Sequence, residues 1–316
     1  MKAKVHGIMI SGFMIAKNLL KQGYPFVEAV ASALPICDEF LISDGYSTDG
    51  TFELLQKMAL LNRKIKVSRY NWLTTKSLSV LTDATNEVRK KCSFEHIFYV
   101  QANEIVPEND IEVIKSLPEI LPQARTFCFP FSHVLGNQKW AEQFRLRFSK
   151  NEPGIIAVGD AWTLGPSKAF VRSVAVKSLR HPRTLIRYVG RGIEYTYANS
   201  FSNVTSRAIY LPKPIFRYYA LFPRDFIEKS KNHAEIFGDQ SFYKNINVLE
   251  KKIGDYDSFW RGAADLFREG LTGSNYPAFG EIKKEDHPKI MQDLVSSTKV
   301  DRYYVRSEVL ESIVGL

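Results

Sequence analysis

Cysteine is scarce: Cys37, Cys92 and Cys128 are the three in 316 residues. Three thiols so far apart make neither a disulfide framework nor a structural zinc site, and their apolar neighbours fit a reducing compartment. Long apolar runs are missing too. The longest stretch, Gly7 to Ala16, is broken by Ser11 and is too short to span a bilayer. Lys2 and Lys4 before it loosely imitate a signal peptide, but no small-residue cleavage site follows. A buried first strand in a cytoplasmic protein is therefore expected. Ser11-Gly12-Phe13-Met14 lacks the glycine spacing of a dinucleotide-binding turn, and there is no P-loop, nucleophile elbow or zinc-type His/Glu pair. Repeats and low-complexity segments are absent. What remains is globular, at 45% hydrophobic and 24% charged residues, with length for one large or two ordinary domains.

Charge is uneven. Residues 111–232 hold 19 Lys and Arg against 8 Asp and Glu, a net +11, whereas 1–110 carry +1 and 233–316 carry −3. A basic middle third suits a pyrophosphate, a polyanion or the anionic inner face of a membrane, to which peripheral contact is expected. The cations are scattered, and a solubilising surface is the plainer alternative. Nucleic acid is not expected as a partner, because no recognition helix or zinc module is present and the aromatics do not interleave with a basic run.

The first hundred residues alternate strand and helix patterns. Strands are expected at 8–15, 40–43, 65–70 and 96–100, with helices at 24–34, from Asp49 to Leu61, and at 78–92. Pro25 suits a first helical turn and Asp49 a helix cap. Strands joined by crossover helices imply an α/β, doubly wound, mostly parallel sheet, whose ligands sit beyond the carboxyl ends of the strands. That directs attention to Lys17, Asn18, Asp44, Trp72 and Gln101 to Glu104. After about residue 110 the alternation weakens. Pro118 and Pro122 mark a connection, and short aromatic runs follow at Phe127–Phe131 and Ile155–Val158. Four helices are expected from Asp225 onward, so the division anticipated is a core over 1–221 and a helical C-terminal extension over 222–316.

Three motifs stand after those strands: Lys17-Asn18; Ser43-Asp44-Gly45-Tyr46-Ser47-Thr48-Asp49-Gly50-Thr51; and Gln101-Ala102-Asn103-Glu104. Further on come Phe131 to Asn137, Val158-Gly159-Asp160-Ala161, Ile215-Phe216-Arg217-Tyr218-Tyr219 and Asp286-His287-Pro288. Together they resemble a bacterial branch of the nucleotide-sugar-dependent glycosyltransferases of the GT-A fold, most closely over residues 8–105. The resemblance implies transfer of a sugar from a nucleotide-diphosphate-sugar donor to a glycan, lipid or protein acceptor. Lys17, Asn18, Asp44, Asn86, Gln101, Asn103, Glu104 and Arg217 are the implied donor-binding residues. Asp44 is read as a base or ribose contact, with a turn aspartate bonding its own backbone as the alternative. For Asn86 a solvated helix position is the alternative.

The chain departs from that family at two points. Asn103 stands where relatives carry an aspartate that holds Mg²⁺ or Mn²⁺, leaving Glu104 as the turn's carboxylate, and a hard cation prefers anionic oxygen. Arg217 stands where relatives carry a histidine. A guanidinium cannot ligate a metal but suits phosphate oxygens. No metal cofactor is therefore expected to be required, with Mg²⁺ or Mn²⁺ retained only if Glu104 keeps one. Asp160 is the candidate base for the acceptor hydroxyl, with Glu194 a lesser one. His133 and His181 are read as ordinary polar residues. The alternative to transfer is a catalytically silent GT-A-like protein that binds a nucleotide or glycan.

Overall fold

The computed structural model describes residues 7–72, 79–158, 161, 163–166, 206–208, 214–237, 246–270, 280–296 and 302–316. The expected alternation is present as β1 (Ile10–Ala16), α1 (Phe26–Ala33), β2 (Glu39–Asp44), α2 (Thr51–Leu61), β3 (Ile65–Arg69), α3 (Ser79–Arg89) and β4 (His96–Tyr99). These four strands are parallel in the order 3-2-1-4, one half of a doubly wound sheet. The period of two sorts their side chains. Ile10, Met14 and Ala16 of β1 pack with α1 and α2, whereas Phe13 and Ile15 pack with α3 on the other face.

Beyond Tyr99 come β5 (Glu104–Ile105), α4 (Ile111–Ile120), β6 (Thr126–Leu135) and β7 (Gln138–Lys150). β8 (Ile155–Val158) and β9 (Thr163–Pro166) form a separate hairpin, β10 (Ser206–Ala208) lies along β6, and β11 (Ile215–Ala220) follows. The sheet continues from β4 through β7, β6 and β11 to β5, with β7 antiparallel to both its neighbours. Pro118, expected in a connection, is instead buried inside α4 beside Ile114 and Leu117. In the helix's last turn its ring forfeits one backbone bond rather than breaking a long ladder. The long strand β7 was not anticipated. Its charges at Lys139, Arg145, Arg147 and Lys150 obscure the buried Trp140, Leu146 and Phe148, and a register irregularity opposite Phe127 and Cys128 sends Leu146 and Phe148 into different cores.

The anticipated C-terminal helices are α5 (Pro223–Phe237), α6 (Ile246–Glu250) and α7 (Tyr256–Gly270), then, after the short β12 (Gly280–Glu281), α8 (Lys289–Val295). A further helix, α9 (Ser307–Ser312), ends the chain. Helices α5 to α7 bury Phe226, Leu249, Phe259 and Trp260 against Leu135 and Trp140 of the β6–β7 hairpin. Gly136 at the hairpin tip has φ +58°, and a Cβ there would lie 2.2 Å from the Trp260 ring. Glycine serves both the left-handed turn and the close approach. Helices α8 and α9 return to the doubly wound half, where Met291, Leu294, Leu310 and Ile313 join the same core as Phe26 and Val30. The segment following residue 222 thus divides: its first helices cover the hairpin and its last complete the first core. Among the described residues no helix is long and apolar enough to cross a membrane.

Candidate functional site

At the carboxyl edge, the loops after β1 and β2 are stitched together by the motif that follows β2. Asn18 donates its N–H to Ser47 Oγ at 2.9 Å, and its Oδ1 accepts from Thr48 N at 2.9 Å. Thr51 Oγ1 accepts from the N–H groups of Leu19 and Leu20, and Asp49 Oδ2 from that of Lys21 at 2.7 Å. The cap position of α2 is Gly50, with φ +92° and no side-chain bond, and not Asp49 as expected; Asp49, one residue earlier, accepts from the helix's first N–H, that of Thr51, at 3.0 Å. The Ser-Thr-Asp-Gly-Thr turn therefore satisfies the backbone of its neighbouring loop, and the side chain of Asn18 belongs to that weave.

Asp44 is fully buried at the end of β2. Its carboxylate accepts from the N–H and hydroxyl of Ser47 and from Arg69 Nε at 3.1 Å. These contacts match the alternative of an aspartate organising its own turn. The Arg69 guanidinium lies 4.4 Å from the ring centre of Tyr46 and 4.0 Å from that of Phe52. Tyr46, which sequence reasoning did not single out, is 52% exposed and holds φ +60°. A bulky residue with positive φ is a costly conformation, and such strain collects at functional sites. Beside it Lys17 Nζ lies 5.2 Å from the Trp72 ring. A Cβ on Gly45 would meet that indole at 2.6 Å, so glycine admits the ring to the edge of β2. The buried Trp72 Nε1 has no hydrogen-bond partner among the described residues.

The turn after β4 is occupied by protein contacts. Glu104 Oε1 accepts from Arg147 Nη2 at 2.6 Å and Oε2 from Arg147 Nε at 2.9 Å, with the backbone N–H of Gln101 3.1 Å from Oε2. Both partners are 2% exposed at the side chain. The guanidinium is flanked by the rings of Tyr99 and Phe131 at 4.9 and 5.2 Å. Breaking such a buried pair typically costs about 3–5 kcal/mol. Asn103 is also buried, and its Nδ2 donates to the carbonyl of Tyr218 at 2.8 Å, while Tyr218 N returns a bond to Asn103 O. An aspartate there would oppose carboxylate oxygen to a carbonyl. The turn does not fit the Mg²⁺ or Mn²⁺ that the resemblance implies, since its one carboxylate is bound on both oxygens by Arg147. Among the described residues no group of three or more His, Cys, Asp or Glu side chains converges on a metal position.

Asn86 faces β8 rather than the carboxyl edge. Its Nδ2 donates to Ala157 O at 3.2 Å and its Oδ1 accepts from Ala157 N at 2.8 Å. This pairing leads to the loop joining β8 and β9. Ala161 in that loop has φ +62°, and its carbonyl accepts from Tyr99 Oη and Gln101 Nε2, both at 2.9 Å. Its N–H donates to Thr82 Oγ1 at 3.2 Å. Asp160, Glu194 and His181 lie outside the described residues. Ala161, the neighbour of Asp160, is nevertheless fixed against the turn after β4.

Arg217 stands opposite Glu104 across the β11–β5 ladder and opposite His133 of β6 on its other side. His133 in turn pairs with Trp140 of β7, and their rings stack with centres 4.9 Å apart. Glu104, Arg217, His133 and Trp140 thus make one row across four strands. The half-buried Arg217 acts electrostatically on Tyr24, Tyr219 and Lys229. Burial pushes both tyrosine hydroxyls up against that pull, and holds Lys229 well below the usual lysine value, with Arg217 adding to the effect. Arg147 and Lys229 carried no signal in the sequence, since their partners are set by distant strands.

No family model and no curated protein matches this sequence. Solved structures do resemble it. S. aureus TarS matches at 10% identity and TM-score 0.41, covering 98% of this chain and 55% of its own. The chain thus spans about half of that protein's length. TarS residues 1–349 in complex with UDP-GlcNAc match at 12% identity and TM-score 0.39, over 97% of this chain and 90% of that one. The mannosyltransferase PcManGT from Pyrobaculum calidifontis, in complex with GDP-Man and Mn²⁺, matches at 13% and TM-score 0.38, over 86% and 77%. The fold is GT-A-like. That assignment rests on the strand order and register above, because likenesses at these scores carry no weight of their own.

Proposed function

We propose that this chain is a glycosyltransferase, moving a sugar from a nucleotide-diphosphate-sugar donor to a glycan, lipid or protein acceptor. The observation that carries this reading is the buried Trp72 indole N–H, which has no partner among the described residues and is placed beside Gly45 and Lys17 at the carboxyl edge. Buried donors are nearly always paired, and an orphan at a strand terminus suits a ligand acceptor such as a base or ribose oxygen. The exposed Tyr46 ring offers an adjoining flat surface. Asp160, next to the anchored Ala161, is the proposed base for the acceptor hydroxyl.

One observation favours binding without transfer. Asp44, Asn86, Asn103 and Glu104 all direct their side chains to protein partners. The two readings separate in one experiment. Candidate UDP- and GDP-sugars are screened by thermal shift, and any that bind are then incubated with acceptor extracts while nucleotide release is followed. A transferase releases nucleotide with wild-type protein, and Asp160→Asn lowers turnover by about 10²–10⁴-fold while donor binding persists. Binding without release supports the silent reading, and no binding to any nucleotide sugar removes both.

A further inference from the structure

We propose that the donor's diphosphate is neutralised here by the guanidinium of Arg217, and not through a divalent cation. This rests on the donor-binding reading above and specifies how that site is charged.

The first ground is the Glu104–Arg147 pair. A cation seeking this carboxylate must displace a guanidinium that holds both oxygens and lies between Tyr99 and Phe131. Displacement would leave Arg147, 2% exposed, as an uncompensated buried charge. Protein has taken the position the cation would need.

The second ground is Asn103. Its amide is not an inert remnant of a carboxylate, because it donates to Tyr218 O while Asn103 O accepts from Tyr218 N. This reciprocal contact joins the turn after β4 to β11. Only a donor serves at that point, so asparagine rather than aspartate suits this position in the sheet.

The third ground is register. Arg217 follows Phe216 on β11 and stands directly opposite Glu104. Glu104 thus has a permanent cation opposite it on the adjoining strand. The charge of Glu104 is met by Arg147, and Arg217, opposite Glu104 across the ladder, adds a further positive charge to this region. A field of that sign attracts a diphosphate and repels a second cation. A guanidinium also offers directed donors to phosphate oxygens, as a bound cation's charge alone does not.

The test uses the full chain and titrates UDP and GDP by calorimetry, in EDTA and in Mn²⁺. For the nucleotide that binds, affinity is expected to agree within about twofold between the two conditions. Arg217→Gln should weaken it by tenfold or more, about 1.4 kcal/mol or above. Arg217→Lys should fall between, since charge survives but the fork does not. Melting curves of both variants show whether they remain folded. Binding that requires Mn²⁺, or Arg217→Gln with unchanged affinity, overturns the proposal while leaving the donor reading in place. Absence of binding in both EDTA and Mn²⁺ overturns the donor reading, and this proposal with it.

Discussion

Glu28 and Arg306 meet near the middle of the protein although 278 residues separate them in sequence: Arg306 Nη2 lies 3.3 Å from Glu28 Oε1. Tyr303 Oη donates to the other carboxylate oxygen at 2.9 Å. Glu28 is fully buried on α1, and Arg306, 5% exposed, also reaches the carbonyl of Ile290. The contact ties the chain's last helices to the first. Burial pushes the Glu28 carboxyl up despite both partners, so the pair is valuable chiefly for what its rupture leaves behind. Glu28→Gln or Arg306→Met alone is expected to cost about 3–5 kcal/mol, because the survivor is stranded. The double variant should cost less than the two losses added. Urea unfolding of the four proteins gives the coupling energy, and simple additivity would mean that the groups do not interact.

Trp72→Phe keeps an aromatic ring against Gly45 and removes the indole N–H together with part of the fused ring. That N–H has no protein partner among the described residues, so any fall in the melting temperature should be a modest one from lost packing. Nucleotide affinity should fall by about 1–2 kcal/mol if the base or ribose accepts from it. Calorimetry with the nucleotide that binds wild type decides the matter. A fall in stability with unchanged affinity would place the indole in the scaffold alone.

Legibility in the sequence followed the range of the interactions. The β1–α1–β2–α2–β3–α3–β4 run was readable because each element advertises its own period, and every boundary lies within a few residues of expectation. The bond from Thr51 N to Asp49 at the start of α2 was readable for the same reason, being a contact two residues away, although the cap position itself is Gly50. Strand β7 was not, since Arg147 looks solvent-exposed until Glu104, 43 residues earlier, is placed beside it. The site shows the same limit. Motif spacing located the carboxyl-edge loops, but whether Asp44 or Asn86 faced ligand or protein depended on Arg69 and β8, which no local pattern names.

Lys229 predicts a pH profile. Its Nζ donates to Tyr219 O at 2.7 Å and lies 4.4 and 4.1 Å from the ring centres of Tyr24 and Tyr219. Burial, reinforced by Arg217, holds the ammonium well below its usual 10.5. Between the folded and unfolded values the unfolded chain binds the extra proton, so stability rises with pH across that window and is lost as pH falls through the folded value. One full proton corresponds to a slope of about 1.4 kcal/mol per pH unit. Lys229→Met should remove this contribution, flattening the profile measured by urea midpoints from about pH 7 to about pH 9. Parallel profiles for the two proteins would show that Lys229 keeps an ordinary value.

The three thiols should be silent in the folded state. Cys37, Cys92 and Cys128 are buried, and burial pushes Cys92 and Cys128 up to about 12 and Cys37 higher still. At pH 8 a thiol with such a value is only about 10⁻⁴ thiolate, the form that reacts. Modification by a disulfide reagent should therefore track unfolding, with all three labelled together in denaturant and none at an appreciable rate without it. Rapid labelling of a single cysteine in native buffer would reveal local opening at that strand or helix.

The grip on Ala161 gives the sharpest test of the site's geometry. A left-handed alanine costs about 1–2 kcal/mol, so contacts must hold it there. Tyr99 Oη and Gln101 Nε2 both donate to its carbonyl and lie 3.2 Å from each other. Tyr99→Phe leaves the amide in place, and Gln101→Ala leaves the phenol, so either change alone should cost only about 1 kcal/mol of stability. Together they leave the carbonyl without either donor, and the segment carrying Asp160 loses its anchor to the turn after β4. If Asp160 is the acceptor's base, a displacement near 1 Å is enough to lower turnover by about 10²-fold. Donor affinity separates positioning from the donor contact that the resemblance implies for Gln101: it stays within about twofold if the pair only positions Ala161, and falls in Gln101→Ala alone if the amide meets the donor. The expected signature is a fall in kcat for the double variant with little change in donor binding, each single variant losing much less. Full turnover in the double variant would mean that the base is positioned by something other than this pair.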